Sequence, residues 1–229
     1  MISVIVPTLN EEKYIEMSLK ALKNQDYNGK YEIIVADGNS KDGTVKIAKN
    51  YADKIVSVKK RGIGAGRNAG AKAAKGDILT FVDADTILLP NTLKEIESAF
   101  KKKSLVVLSV VTLPMDYSLK SLLSWWFINT VSKNSCKYGK ALMPGYCLSC
   151  RKETFDKIDG FNEELKSGEE IDMSLRMNKH GKAEMLDTTL AFTSTRRLKK
   201  WGPTYSAYKY FKGYILGKYL NKGGYEPVR

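Results

Sequence analysis

The sequence predicts an α/β fold: one mixed, mostly parallel sheet flanked by helices. Three observations predict it. Short Val- and Ile-rich runs alternate with helix-patterned stretches through the first half of the chain. Those runs are apolar on both sides, as strands covered on both faces are. The loops that follow carry turn and capping residues and lead directly into helices.

The elements follow in order. Ile2–Val6 is the first apolar run, and Glu11–Leu22 follows with Ile15, Leu19 and Leu22 at helical spacing. Tyr31–Ala36 reads as a second buried strand. Asp37-Gly38-Asn39-Ser40-Lys41-Asp42-Gly43 is a turn-rich loop that leads into a helix over Thr44–Tyr51. Ile55–Val58 is a short strand, Ala65–Ala74 an Ala-rich helix and Asp77–Val82 a fourth strand. Pro90 opens a helix over Asn91–Phe100, because a first turn does not need the N–H that proline lacks. Leu105–Leu113 is a fifth strand. The second half is less regular. Leu119–Val131 is apolar and aromatic and includes Trp125, Trp126 and Phe127. A strand near Gly145–Cys150, a short helix near Lys152–Ile158 and a helix near Glu170–Lys179 come next. In Tyr205–Leu220, Tyr208, Phe211, Ile215 and Tyr219 recur every three or four residues with Lys209, Lys212 and Lys218 between them. That pattern is a basic amphipathic C-terminal helix.

Composition bounds the class. The 229 residues are 43% hydrophobic and 28% charged, close to globular averages. A chain this long buries roughly 70–75% of its unfolded surface, so it folds without disulfide or metal staples. No apolar run reaches the ~18 residues of a transmembrane helix. The opening strand lacks a charged n-region and a cleavage site, which predicts no signal peptide. The net charge is +13, and eight basic residues with no acid fall between Thr188 and Tyr225. Such a face suits a polyanion: a diphosphate, an anionic membrane surface or nucleic acid. Cys147 and Cys150 form a lone C-x-x-C, with only Cys136 and His180 left to complete a zinc site. On a strand, positions three apart face opposite sides, so these are expected to be buried apolar cysteines. His180 reads as part of a helix end before Gly181.

Ligands of parallel sheets bind at the carboxyl ends of the strands. Pro7-Thr8-Leu9-Asn10-Glu11 follows the first strand, Asp37 the second, and Asp83-Ala84-Asp85 the fourth. Two aspartates one residue apart at a strand end suit a hard divalent cation whose shell is completed by diphosphate oxygens. Gly62-x-Gly64-x-Gly66 is not a dinucleotide fingerprint, because that motif belongs in the first strand–helix turn. No P-loop occurs.

The same pieces, with Gly66-Arg67-Asn68-Ala69-Gly70, Gly160-Phe161-Asn162-Glu163 and Gly168-Glu169-Glu170-Ile171-Asp172, fall in one order along the chain. As an ordered set they resemble the family 2 glycosyltransferases and their Rossmann-like GT-A fold. The resemblance implies a metal-dependent, inverting transfer of sugar from a nucleotide-diphosphate sugar, UDP- or GDP-linked, to a hydroxyl or a lipid phosphate. It implies a single domain over 1–229. About 1–115 would bind the nucleotide sugar, about 116–195 would serve acceptor and catalysis, and about 196–229 would be a basic tail. Pro7, Thr8, Asn10 and Glu11 would line base and ribose, and Asp37 would accept a hydrogen bond from the base. Arg67 and Asn68 would sit near ribose and diphosphate. Asp83 and Asp85 would hold Mg²⁺ or Mn²⁺, with Asp85 the more direct ligand. Arg196 or Arg197 would reach the diphosphate, as guanidinium forks do.

An acceptor hydroxyl must lose a proton as it attacks, and a nearby carboxylate takes it. The resemblance gives that role to Glu170, one methylene longer than the family's usual Asp, with Glu169 and Asp172 as alternatives. The local pattern also fits acids at a helix start and an Asp172–Arg176 pair at i,i+4. The expected location is cytoplasmic, peripheral on the membrane. The C-terminal helix and the Trp125-Trp126-Phe127 segment would be the contacts, a lipid-linked or polyprenyl phosphate the acceptor, and nucleic acid no partner. Two other readings stay open in the sequence. One is a basic membrane- or nucleic-acid-binding protein on a degenerate version of the fold. The other is a nucleotidyltransferase, although the Gly-rich pyrophosphate loop that would mark it is missing.

Overall fold

The computed structural model describes residues 1–201 apart from 61 and 166. The expected helix over Tyr205–Leu220 lies outside the described residues. The elements begin β1 (Ile2–Thr8), α1 (Ile15–Lys23), β2 (Tyr31–Asp37), α2 (Thr44–Ala48), β3 (Lys54–Ser57), α3 (Ile63–Ala73) and β4 (Ile78–Val82). They continue with β5 (Thr86–Leu88), α4 (Thr92–Phe100), β6 (Leu105–Pro114), α5 (Leu119–Lys137), β7 (Cys147–Arg151), α6 (Lys152–Lys157), α7 (Glu169–Asn178), β8 (Lys182–Thr193) and α8 (Arg196–Trp201).

The strands form one sheet in the order β3-β2-β1-β4-β7-β6-β8-β5. β3, β2, β1 and β4 run parallel. β7 is inserted antiparallel between β4 and β6, and β6 pairs in parallel with β8. β5 closes the edge antiparallel to β8. The mixed, mostly parallel sheet therefore matches expectation. β5 and β8 are additions to it. The β6–β8 register shifts near Val110, Val111 and Thr112, and Asp187-Thr188-Thr189 interrupts the apolar pattern of β8. Those bulges remove the period-2 signal from which a strand is read.

Successive residues feed two cores. Ile2, Val4, Val6, Ile33, Val35, Ile78 and Val82 face α1 and α4 through Ile15, Leu19, Leu22, Leu93 and Ile96. Ile5, Ile34, Leu79 and Phe81 face the other way, toward Ala71 of α3, Phe155 of α6, and Met173 and Met177 of α7. Cys147 and Cys150 divide as the strand argument requires, one in each core. Burial pushes the Cys147 thiol up to about 12. His180 donates its backbone N–H to Met177 O at the end of α7.

Helix α3 packs so closely on β1 that a Cβ at Gly70 would stand 2.3 Å from Ile5 Cγ2. Replacing Gly by Ala inside a helix gains about 1 kcal/mol of propensity. Overpacking a rigid core costs about 1–3 kcal/mol, so the clash should win. Gly70→Ala is expected to lower Tm by roughly 2–8 °C, as read by circular dichroism; an unchanged or raised Tm would contradict this packing.

Candidate active site

The register places three strand ends side by side. Thr8 stands opposite Asp37, and Ile5 opposite Phe81, two residues before Asp83. The loops beyond β1 and β2 are knitted together. Asn10 N donates to Ser40 Oγ (2.8 Å), Lys41 N to Asn10 Oδ1 (2.7 Å) and Glu11 N to Thr44 Oγ1 (2.7 Å). Asn10 (φ 55°) and Asn39 (φ 71°) adopt left-handed backbone, which Asn tolerates better than most residues. Buried Asp37 organises this loop pair. Its Oδ2 accepts from the backbone N–H groups of Asn39 and Ser40, both 3.0 Å away. Its Oδ1 accepts from Ser40 Oγ (2.5 Å) and Thr8 Oγ1 (3.3 Å). Pro7 lies in β1, with its Cβ against the position of Gly66.

Arg67 is the centre of the site. Its side chain is 2% exposed. Nη2 donates to Asp83 Oδ1 (3.1 Å) and to Gly145 O (3.2 Å), and Nη1 donates to Glu169 Oε1 (2.9 Å). The guanidinium also lies 5.2 Å from the centre of the Phe161 ring. Burial opposes its charge, but Asp83, Glu169 and Glu170 outweigh burial and hold its pKa above the ordinary value. Gly145 must lack a side chain, because a Cβ there would stand 2.7 Å from Nη2. Removing one partner from so buried a pair costs about 3–5 kcal/mol.

Asn68, the next residue, does other work. Its Nδ2 donates to Phe161 O and Glu163 Oε1, and its Oδ1 accepts from Phe161 N, each at 2.9 Å. It fastens the 160–163 loop to α3.

Asp83 and Asp85 are both buried at the end of β4. Arg67 takes Asp83 Oδ1, whereas Oδ2 accepts no hydrogen bond from the described residues. Asp85 Oδ2 stands 2.9 Å from Arg196 Nε. Arg196 also forks onto Glu11, with both contacts at 2.6 Å, and lies 5.0 Å from the Tyr14 ring centre. The side chain of Arg197 lies outside the described residues. Among the described residues, no group of three or more His, Cys, Asp or Glu could hold a metal by itself.

The three acids at the start of α7 separate by partner. Glu169 is committed to Arg67. Asp172 is committed to Arg176 (2.7 Å), which also donates to Ile158 O and Gly160 O. The Glu170 carboxyl makes no ion pair and no hydrogen bond to another side chain among the described residues, while its backbone carbonyl accepts from Ser174 Oγ (2.6 Å). Burial and the neighbouring Glu169 charge push its carboxyl upward, to about 8, against the pull of Arg67. A raised carboxyl of this kind is what acid–base chemistry near neutral pH requires.

Sequence reading missed several contributors. Tyr146 O accepts the Asp83 backbone N–H (3.1 Å), and its ring stacks on Trp125, 5.9 Å centre to centre. Asp116 accepts from Thr195 Oγ1 (2.6 Å) and pairs with Lys199 (3.3 Å). Burial works against the Asp116 charge, but hydrogen bonds from Ser121, Thr195 and Lys199 hold it down at about 2. Tyr146 sits in an apolar stretch with no motif. Asp116 is the last acid before a long acid-free stretch, the one signal that could have drawn notice.

The family model described as glycosyl transferase family 2 matches residues 3–159. Poly(ribitol-phosphate) beta-N-acetylglucosaminyltransferase TarS of Staphylococcus aureus is 38% identical over 100 residues, which is 41% of this chain and 18% of TarS. A crystal structure of TarS residues 1–349 in complex with UDP-GlcNAc superposes with a TM-score of 0.66 at 25% identity, over 84% of this chain and 58% of that one. The Campylobacter jejuni GalNAc(5)-diNAcBac-PP-undecaprenol beta-1,3-glucosyltransferase is 36% identical over 99 residues, which is 40% of this chain and 32% of that protein. The mannosyltransferase PcManGT from Pyrobaculum calidifontis, crystallised with GDP-Man and Mn²⁺, superposes with a TM-score of 0.76 at 21% identity. That superposition covers 99% of this chain and 66% of PcManGT. The chain thus matches under a third of the length of these two sequence relatives and about two thirds or less of the solved chains. The sheet order, the flanking helices and these superpositions define a GT-A fold, and the family match over residues 3–159 makes this chain a member of glycosyl transferase family 2.

Proposed function

We propose that the protein is a metal-dependent, inverting glycosyltransferase that uses a nucleotide-diphosphate sugar. One observation carries this reading. A single buried guanidinium, Arg67, ties the strand-end carboxylate Asp83 to Glu169, the residue beside Glu170. The candidate donor side and the candidate base are thereby held in one rigid frame. The donors in the TarS and PcManGT crystal structures, UDP-GlcNAc and GDP-Man, support a nucleotide sugar of either base.

The nucleotide would lie along the Pro7–Glu11 and Asp37–Thr44 loops. A base N–H would reach Asp37 by replacing the Thr8 hydroxyl, the longest of that carboxylate's four hydrogen bonds. Mg²⁺ or Mn²⁺ fits the donor set, since Asp83 Oδ2 has no donor among the described residues and Asp85 already faces a cation. Asp85 and Asp83 would hold it, and when bound it supplies charge neutralisation of the leaving diphosphate. Arg196 would exchange its carboxylates for phosphate oxygens, which suit the same guanidinium fork. Glu170 would accept the proton of an attacking hydroxyl on the face opposite the leaving group. That arrangement is a single displacement with inversion. A lipid-linked acceptor, such as a polyprenyl phosphate, and a cytoplasmic, membrane-peripheral location complete the reading. No described helix is long and apolar enough to cross a membrane.

Thermal unfolding against UDP- and GDP-sugars tests the donor side. A donor at ~100 times its Kd adds about 2.7 kcal/mol, which is roughly 5–10 °C here. The shift should need Mn²⁺ in the wild type, and Asp85→Asn should lose that requirement together with most of the shift. A full Mn²⁺-dependent shift in the variant would remove Asp85 from the metal site. Arg196→Gln removes the guanidinium that both Glu11 and Asp85 contact. It should lower Tm without metal, and Mn²⁺ should restore more stability to it than to the wild type.

Glu170 gives two pH signatures. As a base it acts ionised, so transfer should rise with pH toward about 8. Glu170→Gln should bind donor normally and lose transfer by about a thousandfold or more. Stability runs the other way. The folded-state pKa lies above the unfolded one, so the protonated acid favours the fold, and this contribution disappears as pH rises through about 8. Glu170→Gln should therefore match the wild-type Tm near pH 4, gain on it as pH rises from about 4.5 to about 8, and exceed it most near pH 9, in buffer without donor or metal. Parallel Tm curves would place the Glu170 carboxyl in a solvated environment.

A further inference from the structure

Helix α5 is apolar on two opposite sides. Ser121, Trp125, Ile128 and Ser132 are buried against the body of the protein. On the other side Leu119, Leu123, Trp126 and Phe127 stand 72%, 57%, 66% and 46% exposed, with Tyr117 just ahead at 67%. Their spacing of four, three and one keeps them on one face over successive turns. The expected Trp125-Trp126-Phe127 contact is thereby corrected: Trp125 turns inward onto Tyr146, and only Trp126 and Phe127 face out.

The surroundings of this face are basic. No Asp or Glu occurs from 117 to 152. Lys120, Lys137 and Lys140 are exposed beside or beyond the apolar residues, while Lys133 is paired with Asp187 of β8. That charge selects among occupants. A second copy docked face to face would set these lysines against their own equivalents. Residues 202–229 bring five basic residues and one acid, Glu226. An anionic lipid surface satisfies both features. Aromatic and leucine side chains enter the headgroup boundary, and lysines meet lipid phosphates.

The face also begins at the rim of the candidate site. Asp116, three residues before α5, takes the hydroxyl of Thr195, and the next residue, Arg196, holds Asp85. The inner side of α5 reaches the site through Trp125, Tyr146 and the Tyr146 carbonyl that accepts the Asp83 N–H. We propose that the outer face of α5 is a docking surface for an anionic lipid bilayer, which opens the Asp83–Asp85 edge toward the headgroups. The docking stands on its own. That it presents a lipid-linked acceptor rests on the transferase reading.

The test is flotation of the full chain with vesicles of equal parts phosphatidylcholine and phosphatidylglycerol, and with phosphatidylcholine alone. The wild type should bind the anionic vesicles and not the neutral ones. Leu123→Ser/Trp126→Ser/Phe127→Ser should bind about a hundredfold more weakly and keep its Tm. No wild-type binding, or equal binding by the variant, overturns the proposal. Leu123→Cys, in a chain carrying Cys136→Ser, should react rapidly with maleimide in vesicle-free protein and slowly once anionic vesicles are added. Slow reaction without vesicles would show that another part of the chain or a second copy covers the face, and would also overturn it. The donor-induced Tm shift is measured on the same samples. Its absence beside intact vesicle binding removes the transferase reading alone, and the converse result removes the docking alone.

Discussion

A guanidinium with 2% of its side chain exposed is stable only where fixed acceptors replace its water. Arg67 has such acceptors from three distant parts of the chain: Asp83 after β4, Gly145 before β7 and Glu169 at the start of α7. None of the three can move far without leaving charge or polarity unpaired. The separation between the candidate metal carboxylates and Glu170 is therefore set by one side chain. Phe161 closes the remaining side, and Asn68, one residue on, fastens the loop that carries it.

The sheet explains how the second half of the chain reaches this point. A sheet that stayed parallel beyond β4 would put a strand's amino end far from Asp83. β7 is antiparallel instead, so the Gly145-Tyr146 segment that enters it arrives where β4 ends. The Val82–Cys147 pair marks the meeting point, and the Asp83 N–H continues the ladder to Tyr146 O. One reversed strand thus brings the Arg67 acceptor Gly145, the Trp125 partner Tyr146 and the carboxyl edge of the sheet together.

What could be read from the sequence divides along physical lines. β1, β2 and β4 were legible because burial on both faces leaves uninterrupted apolar runs, and their carboxyl ends located Asp37, Asp83 and Asp85. The start of α7 was legible because acids favour a helix N-terminus, but that same bias made Glu169, Glu170 and Asp172 indistinguishable. Only the partners separate them, and Arg67 lies about a hundred residues away. β8 was hidden because bulges break its alternation and Asp187-Thr188-Thr189 breaks its apolar run. The pairing of Arg196 with Glu11 joins residues 185 apart, a closeness that no local pattern records. Trp125 and Trp126 read alike in sequence, whereas the helix sends one to the core and one to the surface.

The two arginines divide the site's charge unequally. Arg67 is sealed in and bonded to two carboxylates and a carbonyl, so exchanging its partners would expose a buried charge. Arg196 sits at the start of the last described helix with 15% of its side chain exposed, and its partner Glu11 is 14% exposed. Partly solvated pairs are weaker and more easily exchanged than sealed ones. The fixed arginine holds the side that carries Glu170, and the exchangeable one holds Glu11 and Asp85. A polyanionic ligand arriving at that edge can replace Arg196's carboxylate partners without disturbing Arg67. The geometry around Glu170 then stays the same before and after such a ligand binds, which is the condition for a preorganised base.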